Sequence, residues 1–188
     1  MNNKKGFTLI EVLAVIAIIG VIMLIAIPNV SQYVLGSRKS SFAGNAHAYI
    51  ETARAEYEGK DYGPFLEDDE IMIVPIAVIQ LDKNDSGSSP FGEYDFDRSY
   101  ILIVPERNAF EYYATIKDVK NNAVVMRPYN ELDRDVVEDN VTNIDKWSKY
   151  AGTNNAFVFN NKNYIWCESR ESKAVMTSEY PILVLCEE

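Results

Sequence analysis

The chain has 188 residues, a formal charge of −10 and a pI near 4.7. Its length accommodates one globular domain with an appendage, and its acidity leaves no basic stripe to neutralise nucleic-acid phosphates, so a nucleic-acid partner is excluded. The 47% hydrophobic content is ordinary overall but concentrated at the amino terminus. Beyond Pro28 the composition is that of a soluble domain rich in tyrosine and acidic residues.

From Gly6 to Pro28 the sequence reads G-F-T-L-I-E-V-L-A-V-I-A-I-I-G-V-I-M-L-I-A-I-P. The run from Phe7 to Ile27 has about 21 residues, enough helix to cross a hydrocarbon core at roughly 1.5 Å per residue. Lys4 and Lys5 precede it, and basic flanks stay in the cytoplasm, which places everything after Pro28 outside. A cleaved secretory signal fits poorly: the run exceeds the usual 7–15 residues, and no A-x-A-like site follows. Glu11 is the exception within the run. A carboxylate in hydrocarbon costs on the order of 2.5–3.5 kcal/mol, and no Lys, Arg or His on the run pairs with it. Its partner is expected on another chain. The plainer reading makes Glu11 an interfacial charge favoured by the helix dipole.

The string K-K-G-F-T-L-I-E-V-L at Lys4–Leu13 resembles the amino-terminal motif of type IV pilins, of the type IVa kind, and of the related pseudopilins. The resemblance extends through Pro28. It implies that a prepilin peptidase cuts between Gly6 and Phe7, that Phe7 is then N-methylated, and that Glu11 pairs with the Phe7 amine of a neighbouring subunit. It also implies a helix that softens between Gly20 and Pro28 on assembly, and partners in a homopolymer and a pilus assembly platform. Cutting after Gly6 would remove Lys4 and Lys5 and create an α-amine four residues from Glu11. In a low-dielectric bundle, pairing of such charges across chains counts strongly.

Asn29 to Glu58 carries helical periodicity. Val30, Tyr33, Val34, Phe42, Ala46, Tyr49, Ile50, Ala53 and Tyr57 recur mostly three and four apart, predicting one apolar stripe. Gly36 and Gly44 weaken this helix and Gly59 caps it. A helix from Phe7 to Glu58 would run roughly 78 Å. His47, the one histidine, reads as a solvent-facing or packed side chain.

Ile71–Leu81 reads as a strand or as a helical turn around Pro75. Ser86–Gly92 is a loop by composition, and its Ser89-Pro90-Phe91-Gly92 is similar to a Pro-aromatic-Gly element of the pilin family. Asp82, Asn84, Ser86, Gly87 and Glu93 also fit the spacing of a calcium loop, with oxygens at alternate positions, a tight glycine turn and a closing carboxylate. Pro90 inside the loop and the lack of helical flanks favour a solvated acidic hairpin, with no cofactor.

Strands are predicted at Tyr100–Val104, Phe110–Ile116, Ala123–Arg127, Ala156–Phe159, Tyr164–Cys167 and Pro181–Cys186. The Asn160–Asn163 stretch marks a hairpin. The acidic run Asn130–Tyr150 is expected to be an exposed loop or short helix. Cys167 and Cys186 each end an apolar strand, and neighbouring strands would let them bond; two buried thiols are the alternative. No nucleophile–base set, zinc spacing or phosphate loop is present, so no catalytic residue is assigned.

The chain thus reads as α+β: a leader at 1–6, a transmembrane or filament-core helix at 7–28, its amphipathic continuation at 29–58, and an antiparallel-sheet head at 59–188. The function implied is a structural pilin subunit, held in the cytoplasmic membrane with its head outside and later polymerised into surface pili. The acidic, loop-rich head favours a pilin over a minor pilin or a secretion or competence pseudopilin. An uncleaved single-pass surface binding protein is the alternative from another class.

Overall fold

The computed structural model describes residues 7–59, 66–79, 88–107, 109–167 and 182–188. The chain divides into two compact units, Met1–Arg38 and Lys39–Glu188. A single helix, α1 (Leu9–Glu58), supplies most of the first unit and one layer of the second. Its aliphatic residues are good helix formers or β-branched, and Gly20 and Pro28 do not interrupt it. The helix closes where the Gly59 N–H reaches the Ala55 carbonyl at 2.9 Å.

In the second unit α1 lies on a seven-stranded sheet. The strands are β1 (Glu70–Pro75), β4 (Tyr100–Glu106), β5 (Ala109–Lys117), β6 (Ala123–Pro128), β7 (Phe157–Phe159), β8 (Lys162–Trp166) and β9 (Leu183–Glu187), with a separate two-stranded hairpin of β2 (Ser88–Ser89) and β3 (Gly92–Glu93). The order across the large sheet is β6-β5-β4-β1-β9-β8-β7, and all its pairings are antiparallel. The carboxy-terminal β9 therefore sits inside the sheet, between β1 and β8. The fold is α+β, with one long amino-terminal helix and an antiparallel sheet.

Side chains alternate between two cores, as a period of two requires. Met72, Val74, Ile101, Ile103, Tyr112, Ala114 and Ile116 face α1, where they meet Phe42, Ala46, Tyr49, Ile50, Ala53 and Tyr57. Ile71, Ile73, Tyr100, Leu102, Leu183 and Leu185 pack on the other face with Trp147, Tyr150, Phe157, Phe159 and Tyr164. β1 is buried along its whole length, which suits the apolar run Ile71–Pro75 that follows the buried Glu70. Among the described residues β9 pairs with β1 only as far as Ile73, so Pro75 stands past the end of that pairing, where a missing N–H costs no ladder bond to β9. The strand ends there: Ile76–Ile79 form a turn, and Leu81 lies outside the described residues.

Two expectations are corrected. The segment from Asn130 to Tyr150 does hold short helices, the 3-10 helices Tyr129–Glu131, Arg134–Val136 and Trp147–Tyr150, but it is not simply exposed. With the irregular stretch between them it buries Leu132, Val137, Ile144, Trp147 and Tyr150. Trp147 Nε1 donates to the Phe96 carbonyl at 2.9 Å, and Arg98 Nε donates to that of Ile144 at 3.0 Å. Its acidic residues face solvent while scattered apolar residues pack inward. The apolar stripe is also shorter than predicted. It is buried only from Phe42, and Val30, Tyr33 and Val34 are exposed.

Candidate functional site: the exposed half of the helix

Between Phe7 and Leu35 every described large apolar side chain is exposed, and Glu11 is the single charged residue. A helix that is apolar all round needs a bilayer or other helices to cover it. The apolar window of α1 is long enough to cross a membrane, and none of it is buried within the chain.

The first turn has a defined polar geometry. Thr8 precedes the first helical residue, and Glu11 stands three positions on. Glu11 Oε2 accepts from the Thr8 N–H at 2.9 Å and from the Thr8 hydroxyl at 2.8 Å, while the Glu11 N–H donates to Thr8 Oγ1 at 3.4 Å. This is a reciprocal capping box, which satisfies helix N–H groups that otherwise lack partners. Both bonds to the carboxylate use the same oxygen, Oε2. Among the described residues Oε1 accepts nothing and remains free for a donor from elsewhere. Thr8 was not singled out from the sequence, although T-x-x-E ahead of an apolar run is the readable signal for it.

Of the other predicted site residues, Phe7 is exposed beside this turn. Gly6 lies outside the described residues. An added Cβ at Gly20 would meet nothing within 4 Å, so that glycine is not there to admit a packed neighbour from its own chain. At Pro28 the helix simply continues. Three residues on, the Ser31 hydroxyl donates to the Ile27 carbonyl at 3.1 Å, a back-bond that competes weakly with the helix ladder.

In the head, Cys167 and Cys186 are joined in a disulfide, with Cα atoms 5.3 Å apart. β8 and β9 are adjacent and pair Ile165 with Cys186, which brings Cys167 alongside. Glu70 carries a ligand-type oxygen near both sulfurs, but bonded sulfurs are not thiolate ligands. Of the calcium candidates, Asp82, Asn84 and Ser86 lie outside the described residues, and Glu93 is exposed on β3. Pro90 and Phe91 form the turn of the β2–β3 hairpin, and Phe91 packs on Phe42 at 6.1 Å between ring centroids. The hairpin is held by Asp118, which is fully buried. Its carboxylate accepts from the Lys120 and Asn122 N–H groups at 2.8 and 2.9 Å and from Asn122 Nδ2 at 2.8 Å, with the Ser89 hydroxyl at 3.4 Å. A buried carboxylate with this many donors is a satisfied structural anchor. His47 is likewise structural: Nε2 donates to the Leu132 carbonyl at 2.9 Å, and the ring meets Tyr129 edge-on.

Burial sets the ionisation of the head's tyrosines. It pushes Tyr49, Tyr100 and Tyr112 up to about 12, so they stay neutral throughout the physiological range. Asp145 is held below the usual carboxylate range by the Lys149 ammonium, which donates to it at 2.9 Å. Glu106 is pushed up by its hydrogen-bonding and repulsive neighbour Glu111.

The prokaryotic N-terminal methylation motif matches residues 1–27. Among characterised proteins, the chain is 43% identical over 61 residues to the type IV major alpha-pilin of Moraxella bovis, covering 32% of this chain and 38% of that one. It is 45% identical over 62 residues to the type IV major fimbrial protein FimA of Dichelobacter nodosus, covering 31% and 40%. It is 38% identical over 61 residues to a ComG operon protein 3 homolog of Bacillus licheniformis, covering 31% and 63%. The chain thus spans about two fifths of the length of the Moraxella and Dichelobacter relatives. No solved structure matches it.

Proposed function

We propose, from an amino-terminal region that is that of a type IV pilin or pseudopilin, that this chain is the precursor of a filament subunit. Prepilin peptidase cuts between Gly6 and Phe7, the Phe7 amine is methylated, and the subunit waits in the cytoplasmic membrane with its head outside. Polymerisation through the assembly platform then moves the apolar helix from lipid into the core of a surface pilus. The observation that carries this reading is the Leu9–Leu35 stretch of α1, an apolar surface that its own chain leaves uncovered around one carboxylate.

The steps follow from the first turn. In the single chain, Glu11 is satisfied through Oε2 by Thr8, which lowers the cost of holding it in lipid. The free Oε1 accepts the α-amine of a neighbour's Phe7, and the two charges neutralise each other in a low-dielectric core. A subunit out of register would bury both charges unpaired, a penalty that selects the correct stagger. Family relatives are structural subunits, and no catalytic role is assigned to any residue.

Glu11→Ala is expected to leave mature monomer in the membrane with few filaments. Normal filament yield would remove Glu11 from assembly. A second reading, a minor pilin or a secretion or competence pseudopilin, is favoured by the Bacillus licheniformis relative, whose match reaches 63% of its length. Electron microscopy of cells labelled against the head separates the two: a major pilin gives labelling along long filaments, a pseudopilin short or sparse ones.

A further inference from the structure

Asn140-Val141-Thr142 spells N-V-T, the acceptor pattern for an N-linked sugar: an amide nucleophile, a spacer other than proline, and a hydroxyl residue two places on. The pattern recurs at Asn29-Val30-Ser31 and Asn84-Asp85-Ser86. The first lies within α1 just past its apolar run, and the second lies outside the described residues. The third stands on the surface of the head, outside any helix or strand, with Asn140 and Thr142 exposed and Val141 half-buried.

The local geometry presents the asparagine outward. Asn140 has a φ of +61°, a left-handed conformation that asparagine tolerates better than most residues, at the apex of a turn. The turn is pinned on both sides. Ala123 and Glu138 exchange backbone hydrogen bonds of 2.9 and 2.8 Å, and the Val141 N–H donates to the Asn121 carbonyl at 2.8 Å. Lys39 Nζ holds the Val137 carbonyl at 2.7 Å and Asp139 Oδ2 at 3.0 Å. Among the described residues no hydrogen bond engages the Asn140 amide, so a branch added there displaces no contact.

We infer that Asn140 is a glycosylation site whose co-substrate is a saccharide carried on a lipid pyrophosphate. Its Nδ2 attacks the anomeric carbon and a C–N bond forms. The anomeric C–O bond breaks, the lipid pyrophosphate leaves with the electron pair, and an amide proton passes to a base of the transferase. Thr142 is the residue that such a transferase reads two positions downstream. The inference rests on the reading that the head lies outside the membrane, where the donor lipid and the transferase meet it.

The test uses the full chain isolated from the envelope of the cells that make it. The tryptic peptide Asp135–Lys146 is expected to carry saccharide mass on Asn140. That mass is lost in Asn140→Gln and Thr142→Ala and retained in Thr142→Ser, with the thermal midpoint of the head unchanged in the two Thr142 variants and only slightly lowered in Asn140→Gln, whose left-handed backbone suits glutamine less well. A membrane-impermeant amine reagent applied to intact cells reports on the exposed Lys120. Lys120 labelled and peptide 135–146 fully unmodified would overturn the glycosylation site while leaving the pilin reading intact. Lys120 unlabelled would overturn the outside head and this inference with it.

Discussion

The two halves of α1 differ both in how apolar they are and in what covers them. Ile16 is 60% exposed and Phe42 is fully buried, although both belong to one continuous helix. From Phe42 the apolar residues fall at 42, 46, 49, 50, 53 and 57, a helical period that fits one face onto the sheet. Before Leu35 they occupy every face, and no single sheet or helix of the same chain could cover them. The number of apolar residues and their pattern together thus separate a half that stabilises its own domain from a half that associates with lipid or with copies of itself.

That contrast is broken most severely by substitutions that exchange the roles of the two halves. Phe42→Ala should destabilise the head by about 3–5 kcal/mol, because Phe42 packs on Phe91 and Tyr94 and leaves a cavity when removed. Ile16→Ala should leave the head's thermal midpoint unchanged and reduce filament yield instead. Calorimetry of the two variants side by side reads the difference, and equal midpoints would contradict the division. Replacing Cys167 and Cys186 together by serine should cost the head roughly 3 kcal/mol, since the bond closes a loop with a sequence separation of 19. Denaturant unfolding checks the loss, and the helix in membrane should not respond. The smallest effect is expected from Thr8→Ala, which removes the reciprocal cap and should cost about 1 kcal/mol at the helix start. It should slow incorporation of subunits into filaments without altering head stability.

Much of this was legible in the sequence because the signals are periodic. The apolar run, the stripe from Phe42 to Tyr57 and the alternation in Tyr100–Val104 each state an environment through spacing alone. The pair Asn160 and Asn161 was also readable: both adopt positive φ, at 48° and 62°, in the two-residue turn joining β7 to β8. The burial within Asn130–Tyr150 is not legible because its buried residues follow no period. Leu132, Val137, Ile144, Trp147 and Tyr150 are spaced by irregular turns among many charges, and the charges dominate any average over the window. Val30, Tyr33 and Val34 continue the helical spacing, but they precede Lys39, where the second compact unit begins, and they are exposed. In the candidate site, Glu11 was conspicuous as a charge in an apolar run. Thr8 was overlooked because a threonine there looks neutral until its hydroxyl and N–H are seen on the same carboxylate oxygen.

The central claim is that the exposed half of α1 is a processed polymerisation device. Mass spectrometry of the chain purified from sheared surface filaments tests it most directly. The account predicts a chain that begins at Phe7 and carries one methyl group on its α-amine. A chain that retains Met1 with Phe7 unmodified would contradict it.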